Sequence, residues 1–236
     1  MPGSLKIISL LGGLLLTADL LHADEVQPTE REPSLSPAET LLWMSDHLAN
    51  IDRPSKLRYA FKKTGTLEEG FTDMVELSIT KIQKDGGKTA QVDFLTGSRH
   101  QSNPEQQELR GNPVLGQYLQ GDIYEMSRLT EGGWPHFQRR LKLAFAEAAV
   151  VESVTFEHQG QKCEGKKIKV TPYVADPRRH QYPKFAGKMY EFIFSDQIPG
   201  SLYQIHTLVP AESKESIQPG EPLIEETLTF VEAVNT

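Results

Sequence analysis

The sequence lacks most of the features that would identify an enzyme. It has one cysteine, Cys163, so no disulfide can form within the chain and stability must come from a packed core. It has no Gly-x-Ser-x-Gly elbow, no glycine-rich phosphate loop and no His-Glu-x-x-His motif. The histidines are scattered, with no pair three or four residues apart that could bind a metal from one helix. We therefore predict no catalytic residues, no metal site and no cofactor.

Positive charge is also scarce. The chain has 25 Lys and Arg against 32 Asp and Glu, which gives a net charge of −7. Nucleic-acid surfaces are usually basic, so we predict no nucleic-acid partner. Short basic clusters occur at Arg139-Arg140, at Lys166-Lys167 and at Arg178-Arg179-His180. Clusters of this length are usually solvated faces, and that is how we interpret them.

No apolar run reaches the roughly 20 residues of a membrane span. Near the N-terminus, Lys6 precedes the run IISLLGGLLLTA, and Ala23 precedes two acidic residues. This pattern is typical of a secretory signal sequence, with a retained N-terminal anchor as the alternative. We predict a signal peptide over 1–23 that is cleaved near Ala23, a disordered leader over 24–35, a single domain over 36–236, and a periplasmic location.

Helical and strand periods alternate along the domain. Ser36 to Glu39 has the form of a capping box and predicts a helix that runs to Ile51. Period-2 alternation then predicts an antiparallel meander. Its strands are expected at 57–61, 71–82 and 89–95, and the polar segment 97–111 is expected to be a loop or a frayed strand.

Two further helices are predicted after Asn112-Pro113 and at Trp134-Pro135, separated by Gly132-Gly133. This spacing is typical of a helical hairpin, here inserted between two sets of strands. The remaining expected elements are strands at 150–158 and 163–170, an ordered loop at 171–187, a mobile loop at 211–222 and a last strand at 223–231. The total is about eight strands.

The clearest alternation spans residues 188–209 around Pro199-Gly200 and predicts a β-hairpin with one buried face. Tyr190, Phe192 and Phe194 belong to that face. The opposite face is mixed in polarity, so it could line a groove or be solvated. The whole pattern predicts an α+β fold: an antiparallel, strongly curved sheet that forms an open half-barrel, covered by an N-terminal helix and the inserted helical hairpin.

The order of elements, the closing stretch GEPLIEETLTFVEAVNT and the turn IPGSLYQI together resemble the LolA/LolB-like periplasmic lipoprotein-carrier fold. More narrowly, they resemble a family of secreted bacterial proteins of that fold that has no established catalytic residues. The resemblance covers residues 37–234 and implies an open half-barrel with helices as a lid over acyl chains or another apolar ligand. The loops 171–187 and 211–222 depart from the pattern.

On this basis we expect an exported, monomeric carrier or binding protein for a lipid or acyl chain, with an envelope protein as a further candidate partner. The predicted apolar groove consists of Trp134, Phe137, Met189, Ile193, Leu202 and Leu208. Three alternatives stay open. The same residues could form an ordinary dry core, the chain could be an envelope scaffold that binds through a sheet edge, or it could be an exported enzyme. The enzyme would act through His100, His136, His206 or Glu191.

Overall fold

A computed structural model describes residues 34–211 and 220–236. The predicted signal peptide, almost all of the leader and most of the predicted loop 211–222 lie outside the described residues. The architecture below is that of the unit Leu35–Thr236.

Ten antiparallel strands in the described residues form one sheet. They are β1 Ser55–Thr64, β2 Phe71–Ile82, β3 Lys88–Phe94, β4 Gln101–Ser102, β5 Gln106–Leu109, β6 Val150–His158, β7 Gln161–Val170, β8 Met189–Phe194, β9 Leu202–Val209 and β10 Ile224–Asn235. The order is β4-β3-β2-β1-β10-β9-β8-β7-β6, with β5 also paired to β3. Since β4 and β6 do not pair, the sheet is open, which confirms the predicted α+β class.

The sheet differs from the prediction in two places. The segment 97–111, expected as a loop or a frayed strand, supplies β4 and β5, which pair with β3 at the edge of the sheet. The last strand continues to Asn235, past the expected end at Val231, because its final residues pair with β1 as far as Ser55.

Alternation decides which face of the sheet is buried. In β8, Tyr190 and Phe192 are fully buried, and Ile205 lies directly opposite Phe192 in β9. We call this side, which the helices cover, the inner face, and the side that carries Met189 and Ile193 the outer face. The predicted buried face is confirmed in β8, where Tyr190, Phe192 and Phe194 are all buried. In β9 it is shifted, because a register irregularity leaves Leu202 buried and Tyr203 partly exposed.

The N-terminal helix, α1, is shorter than predicted. It consists of one α-helical turn, Pro37–Glu39, that continues as a π-helical turn, Thr40–Met44, with the predicted capping box at Ser36. It ends early because the next residues bond to another segment: His47 Nδ1 accepts from the Asn112 amide at 3.2 Å, and the Leu48 amide donates to Arg110 O at 2.9 Å. The prediction that the helix reaches Ile51 was wrong.

The predicted helical hairpin is confirmed as α2, Pro113–Thr130, and α3, Trp134–Glu147. Both helices pack on the inner face. The ring of Phe145 on α3 meets that of Phe192 with centroids 5.8 Å apart, and Phe137 meets Tyr173 of the 171–187 loop at 5.7 Å. No helix in the described part of the chain is both long enough and apolar enough to cross a membrane.

Candidate ligand groove

Helix α2 has two faces with different roles. The face toward the sheet is buried and consists of Val114, Leu115, Tyr118, Leu119, Asp122, Ile123 and Met126. Its start is fixed by the buried N-cap residue Asn112, whose side-chain oxygen accepts from the Val114 amide at 3.1 Å. The Asn112 Nδ2 group donates to Tyr59 Oη and to Gly200 O, each at 2.9 Å. The first turn of α2 is therefore tied to the sheet at two points.

The opposite face of α2 forms one wall of a groove. The groove has a volume of about 780 Å³ and lies between α2, α1 and the β4–β5 edge of the sheet. On the helix it is lined by Pro113, Gly116, Gln117, Gln120, Gly121 and Tyr124, and across from the helix by Leu42, Trp43, Gln101, Pro104, Gln106 and Leu109. We call it the α2 groove.

Aromatic rings stand at the groove and beyond one end of it. Trp43 is 48% exposed and Tyr124 is 53% exposed, although both are large and largely apolar. The ring of Trp134, itself 43% exposed, lies edge-on to Tyr124 with centroids 6.0 Å apart. Exposed apolar surface of this kind, concentrated at one concave site, is typical of a binding surface.

Two glycines lie in the α2 wall of the groove. A Cβ atom added to Gly116 or Gly121 would meet no heavy atom within 4 Å, and neither residue has a positive φ angle. Glycine inside a helix costs roughly 0.5–1 kcal/mol of stability relative to alanine. Nothing in the described fold requires glycine at these two positions. They provide two places, on either side of Gln117 and Gln120, where another molecule can approach the helix backbone closely.

The groove also contains two unpartnered polar atoms. Gln117 Oε1 and Gln120 Nε2 are both shielded from solvent, and neither has a hydrogen-bond partner within the described residues. An unpaired buried polar atom costs about 1–3 kcal/mol. An acceptor and a donor three residues apart on one helix could bind an ester, amide or hydroxyl group of a ligand.

The six residues predicted to line a groove lie on both sides of the sheet. Met189, Ile193 and Leu208 are on the outer face, with Met189 directly opposite Leu208. Phe137 and Leu202 are buried in the core on the inner side. The structure therefore does not bring these five residues and Trp134 into one groove. Ligand contact by any of them stays a prediction, and Trp134 is the one beside the α2 groove.

Ion pairs cover the outer face of the hairpin. Glu191 lies 3.6 Å from both Lys167 and Lys169 and 3.8 Å from His206. His206 Nε2 also lies 2.9 Å from Glu225. Of the two interpretations that the mixed face left open, a solvated surface fits these charges better than an apolar groove.

A buried polar cluster joins α2 to the inner face. The ammonium group of Lys188 donates to Asp122, and Tyr190 Oη donates to the other Asp122 oxygen at 2.6 Å. Nearby, Tyr118 Oη lies 3.0 Å from both Thr207 and Glu226. Burial raises the pKa of Glu226 above its ordinary value. Since each of these groups has a partner and lies beneath α2, the cluster holds the helix in place.

The candidate catalytic histidines pair with different carboxylates. His100 lies 3.1 Å from Asp93, and His136 on α3 lies 2.7 Å from the buried Asp176. His206 and Glu191 do meet, but on the solvated outer face of the sheet. Tyr182 Oη also donates to Asp176, and these hydrogen bonds, with that from the Arg178 amide, lower the pKa of the carboxyl group against the opposing effect of burial. His136 is therefore part of a bridge between α3 and the 171–187 loop.

The fold is that of an α+β protein with an open antiparallel sheet whose inner face is covered by a helical hairpin. No family model matches the chain, and no curated protein matches it. Solved structures similar to it include the three described next. One is the Mycobacterium tuberculosis lipoprotein LppX, with 10% identity, 83% of this chain and 94% of that chain covered, and a TM-score of 0.33.

The second is LprF from Mycobacterium bovis, with 11% identity, coverage of 85% and 95%, and a TM-score of 0.29. The third is a LolA-superfamily protein from Nitrosomonas europaea, with 9% identity, coverage of 84% and 93%, and a TM-score of 0.22.

Proposed function

We propose that this chain is an exported carrier that binds a hydrophobic ligand, a lipid or an acyl chain, in the α2 groove. The observation that supports the proposal most directly is the open space next to the helix backbone at Gly116 and Gly121 in the α2 wall of the groove. Apolar ligand sites are concave surfaces with a few placed polar groups. The lining of the α2 groove combines apolar side chains such as Trp43 and Leu109 with Asn and Gln amides, among them Gln117 and Gln120 with their unpartnered atoms.

The groove offers distinct places for the two ends of such a ligand. An extended acyl chain would lie along α2 between Trp43 and Tyr124, over the two glycines. From Pro113 to Tyr124 the helix provides about 17 Å of length at its 1.5 Å rise per residue. The polar end would bind to Gln117 and Gln120, whose free acceptor and donor would then be paired.

This proposal places the ligand on the solvent side of α2, and not between the helices and the sheet. Between those layers, aromatic side chains contact each other directly, as Phe145 does Phe192 and Phe137 does Tyr173. Export to the periplasm is supported by the signal-like sequence that ends near Ala23. The monomeric state and an envelope protein as partner stay predictions.

A test of the groove uses a fluorescent fatty-acid probe and two variants, Gly116→Leu and Gly121→Leu, that each add a side chain to the open space in the groove. Leucine has the higher helix propensity, so both variants should stay folded. We expect each to weaken probe binding at least tenfold. Ala146→Leu, which adds the same side chain to an exposed position of α3 outside the groove, is the matched control and should bind as the wild type does.

Mass spectrometry of organic extracts from the chain purified out of its native envelope would identify the ligand class. Co-purified lipid near one molecule per chain, absent from Gly121→Leu, is the expected result. If the wild type binds no probe, or if the Gly116 and Gly121 variants bind it as well as Ala146→Leu does, the groove is not the ligand site.

A further inference from the structure

We infer that the exposed side of α3 and the loop beside it form a docking surface for an anionic lipid bilayer. The surface consists of Trp134, Pro135, Arg139 and Lys142 on α3 together with residues 174–180 of the adjoining loop, and we call it the basic face. It borders the α2 groove at Trp134, whose ring contacts Tyr124, but the inference does not depend on the proposed ligand.

The two segments of the basic face are held side by side. Asp176 in the loop contacts two α3 residues, His136 at 2.7 Å and Arg140 at 3.5 Å. The backbone amide of Arg178 also donates to Asp176, at 2.8 Å. Asp176 is fully buried, so its charge is used in joining the loop to the helix. The helix that carries Arg139 and the loop that carries Arg178 and Arg179 are therefore held next to each other.

Four cations of the basic face have no counter-ion. The side chains of Arg139, Lys142, Arg178 and Arg179 are exposed, and none forms an ion pair with any residue that the structure describes. Neither residues 132–146 nor residues 177–190 contain an Asp or a Glu, although acidic residues outnumber basic ones in the whole chain by 32 to 25. Glu131 and Glu147 lie at the two ends of α3, and Asp176, the acid nearest to Arg178 in sequence, is buried and paired with His136. The basic face is thus a local reversal of the net charge.

Apolar side chains lie among these cations. Trp134 is 43% exposed at the first turn of α3, Pro135 follows it, and Val174 is 52% exposed in the loop. Tryptophan is enriched where a protein meets the headgroup region of a bilayer, and basic residues there bind anionic lipids at about 1 kcal/mol each. Cations mixed with exposed apolar groups on a convex helix therefore fit a bilayer surface better than a soluble polyanion, which would need only the charges.

The test measures partition of the full chain onto vesicles of phosphatidylcholine alone and of phosphatidylcholine with phosphatidylglycerol. We expect binding only to the anionic vesicles, and release as salt concentration rises. The fourfold variant Arg139→Gln, Lys142→Gln, Arg178→Gln and Arg179→Gln should lower the partition coefficient by about fivefold per removed charge, which corresponds to about 1 kcal/mol each.

A second fourfold variant controls for net charge. Lys62→Gln, Lys81→Gln, Lys84→Gln and Lys162→Gln remove the same charge from exposed positions in or beside strands. Residues 1–33, which include the apolar N-terminal run, are the same in every variant. A difference in vesicle binding between the two fourfold variants therefore comes from the basic face. Equal loss of binding in both would show that only the overall charge matters, and would overturn the inference.

Tryptophan emission gives a site-specific measurement, because Trp43 and Trp134 are the two tryptophans of the chain. With Trp43→Phe, the remaining emission comes from Trp134 and should shift to the blue on anionic vesicles. Absence of that shift, or binding to a single-stranded oligonucleotide while vesicles do not bind, would also overturn the inference. Gly121→Leu should bind vesicles as the wild type does, even though it should bind the fatty-acid probe weakly. Vesicle binding and ligand binding in the α2 groove can therefore be tested independently.

Discussion

Removal of the Asp122 carboxylate should destabilise the fold more than loss of one ordinary hydrogen bond would. Asp122 on α2 and Lys188 before β8 are both buried, and the carboxylate accepts hydrogen bonds from Lys188 and from Tyr190. Asp122→Ala leaves the ammonium group of Lys188 buried without its counter-ion. Breaking a buried ion pair from one side costs about 3–5 kcal/mol.

A loss of that size is a large part of the stability of a typical domain, about 5–15 kcal/mol. With a urea dependence of about 2–3 kcal/mol per molar, it would lower the unfolding midpoint by about 1–2 M. The assay is urea unfolding followed by circular dichroism at neutral pH. Asp122→Asn separates charge from hydrogen bonding, because the amide oxygen can still accept from Tyr190, yet the charge of Lys188 stays unpaired.

The double variant Asp122→Leu with Lys188→Met removes both charges and should recover most of the loss, since an apolar pair of similar volume replaces the ion pair. Asp52→Ala removes a carboxylate from the exposed Asp52–Arg53 pair and should leave the midpoint unchanged. If Asp122→Ala shifts the midpoint no more than Asp52→Ala does, the pair does not hold α2 on the sheet. A double variant as unstable as Asp122→Ala would also refute the reasoning.

Three further outcomes follow from the contacts. Hydrogen bonds from Arg128 lower the pKa of Glu125 to about 2, below its unfolded value of 4.5. The resulting contribution to stability is present above about pH 4.5 and is lost as the pH falls to about 2. Between these pH values the wild type should lose more stability than Glu125→Gln, as measured by urea midpoints. Gly200→Val should cost about 1–3 kcal/mol in the same assay, because φ is +74° and the new Cβ would lie 2.6 Å from Leu57 Cδ1. Phe145→Ala should cost about 3–5 kcal/mol, because the ring is buried in the core, and its thermal midpoint should fall accordingly.

Much of the fold could be predicted because local patterns and tertiary structure agree. The period-2 alternation around Tyr190 and Phe192 identified the buried face of β8, and Gly132-Gly133 identified the break between α2 and α3. The edge strands β4 and β5 gave no such signal. Apart from Leu109 their residues are polar, and most are exposed; they become strands because their backbones pair with β3.

The candidate site was harder to predict because it depends on what faces each residue across the fold. The alternation of β8 correctly places Met189 and Ile193 on one face. The sequence does not show that Glu191, on that same face, pairs with lysines of β7 and makes the face charged. A usable signal was present elsewhere. Gly116 and Gly121 both lie within the helical pattern that follows Asn112-Pro113, where glycine lowers helix stability relative to alanine.

The buried ion pair and the α2 groove depend on each other through the geometry of one helix. A turn of α2 about its own axis by one residue, about 100°, would move Asp122 away from Lys188 and leave two buried charges unpaired. The same turn would take Gly116 and Gly121 out of the groove wall. The rotation of α2 that lets Asp122 pair with Lys188 is thus the one that places Gly116 and Gly121 in the groove wall opposite Trp43. The charge cluster, which contacts no part of the groove, therefore determines which face of the helix a ligand would meet.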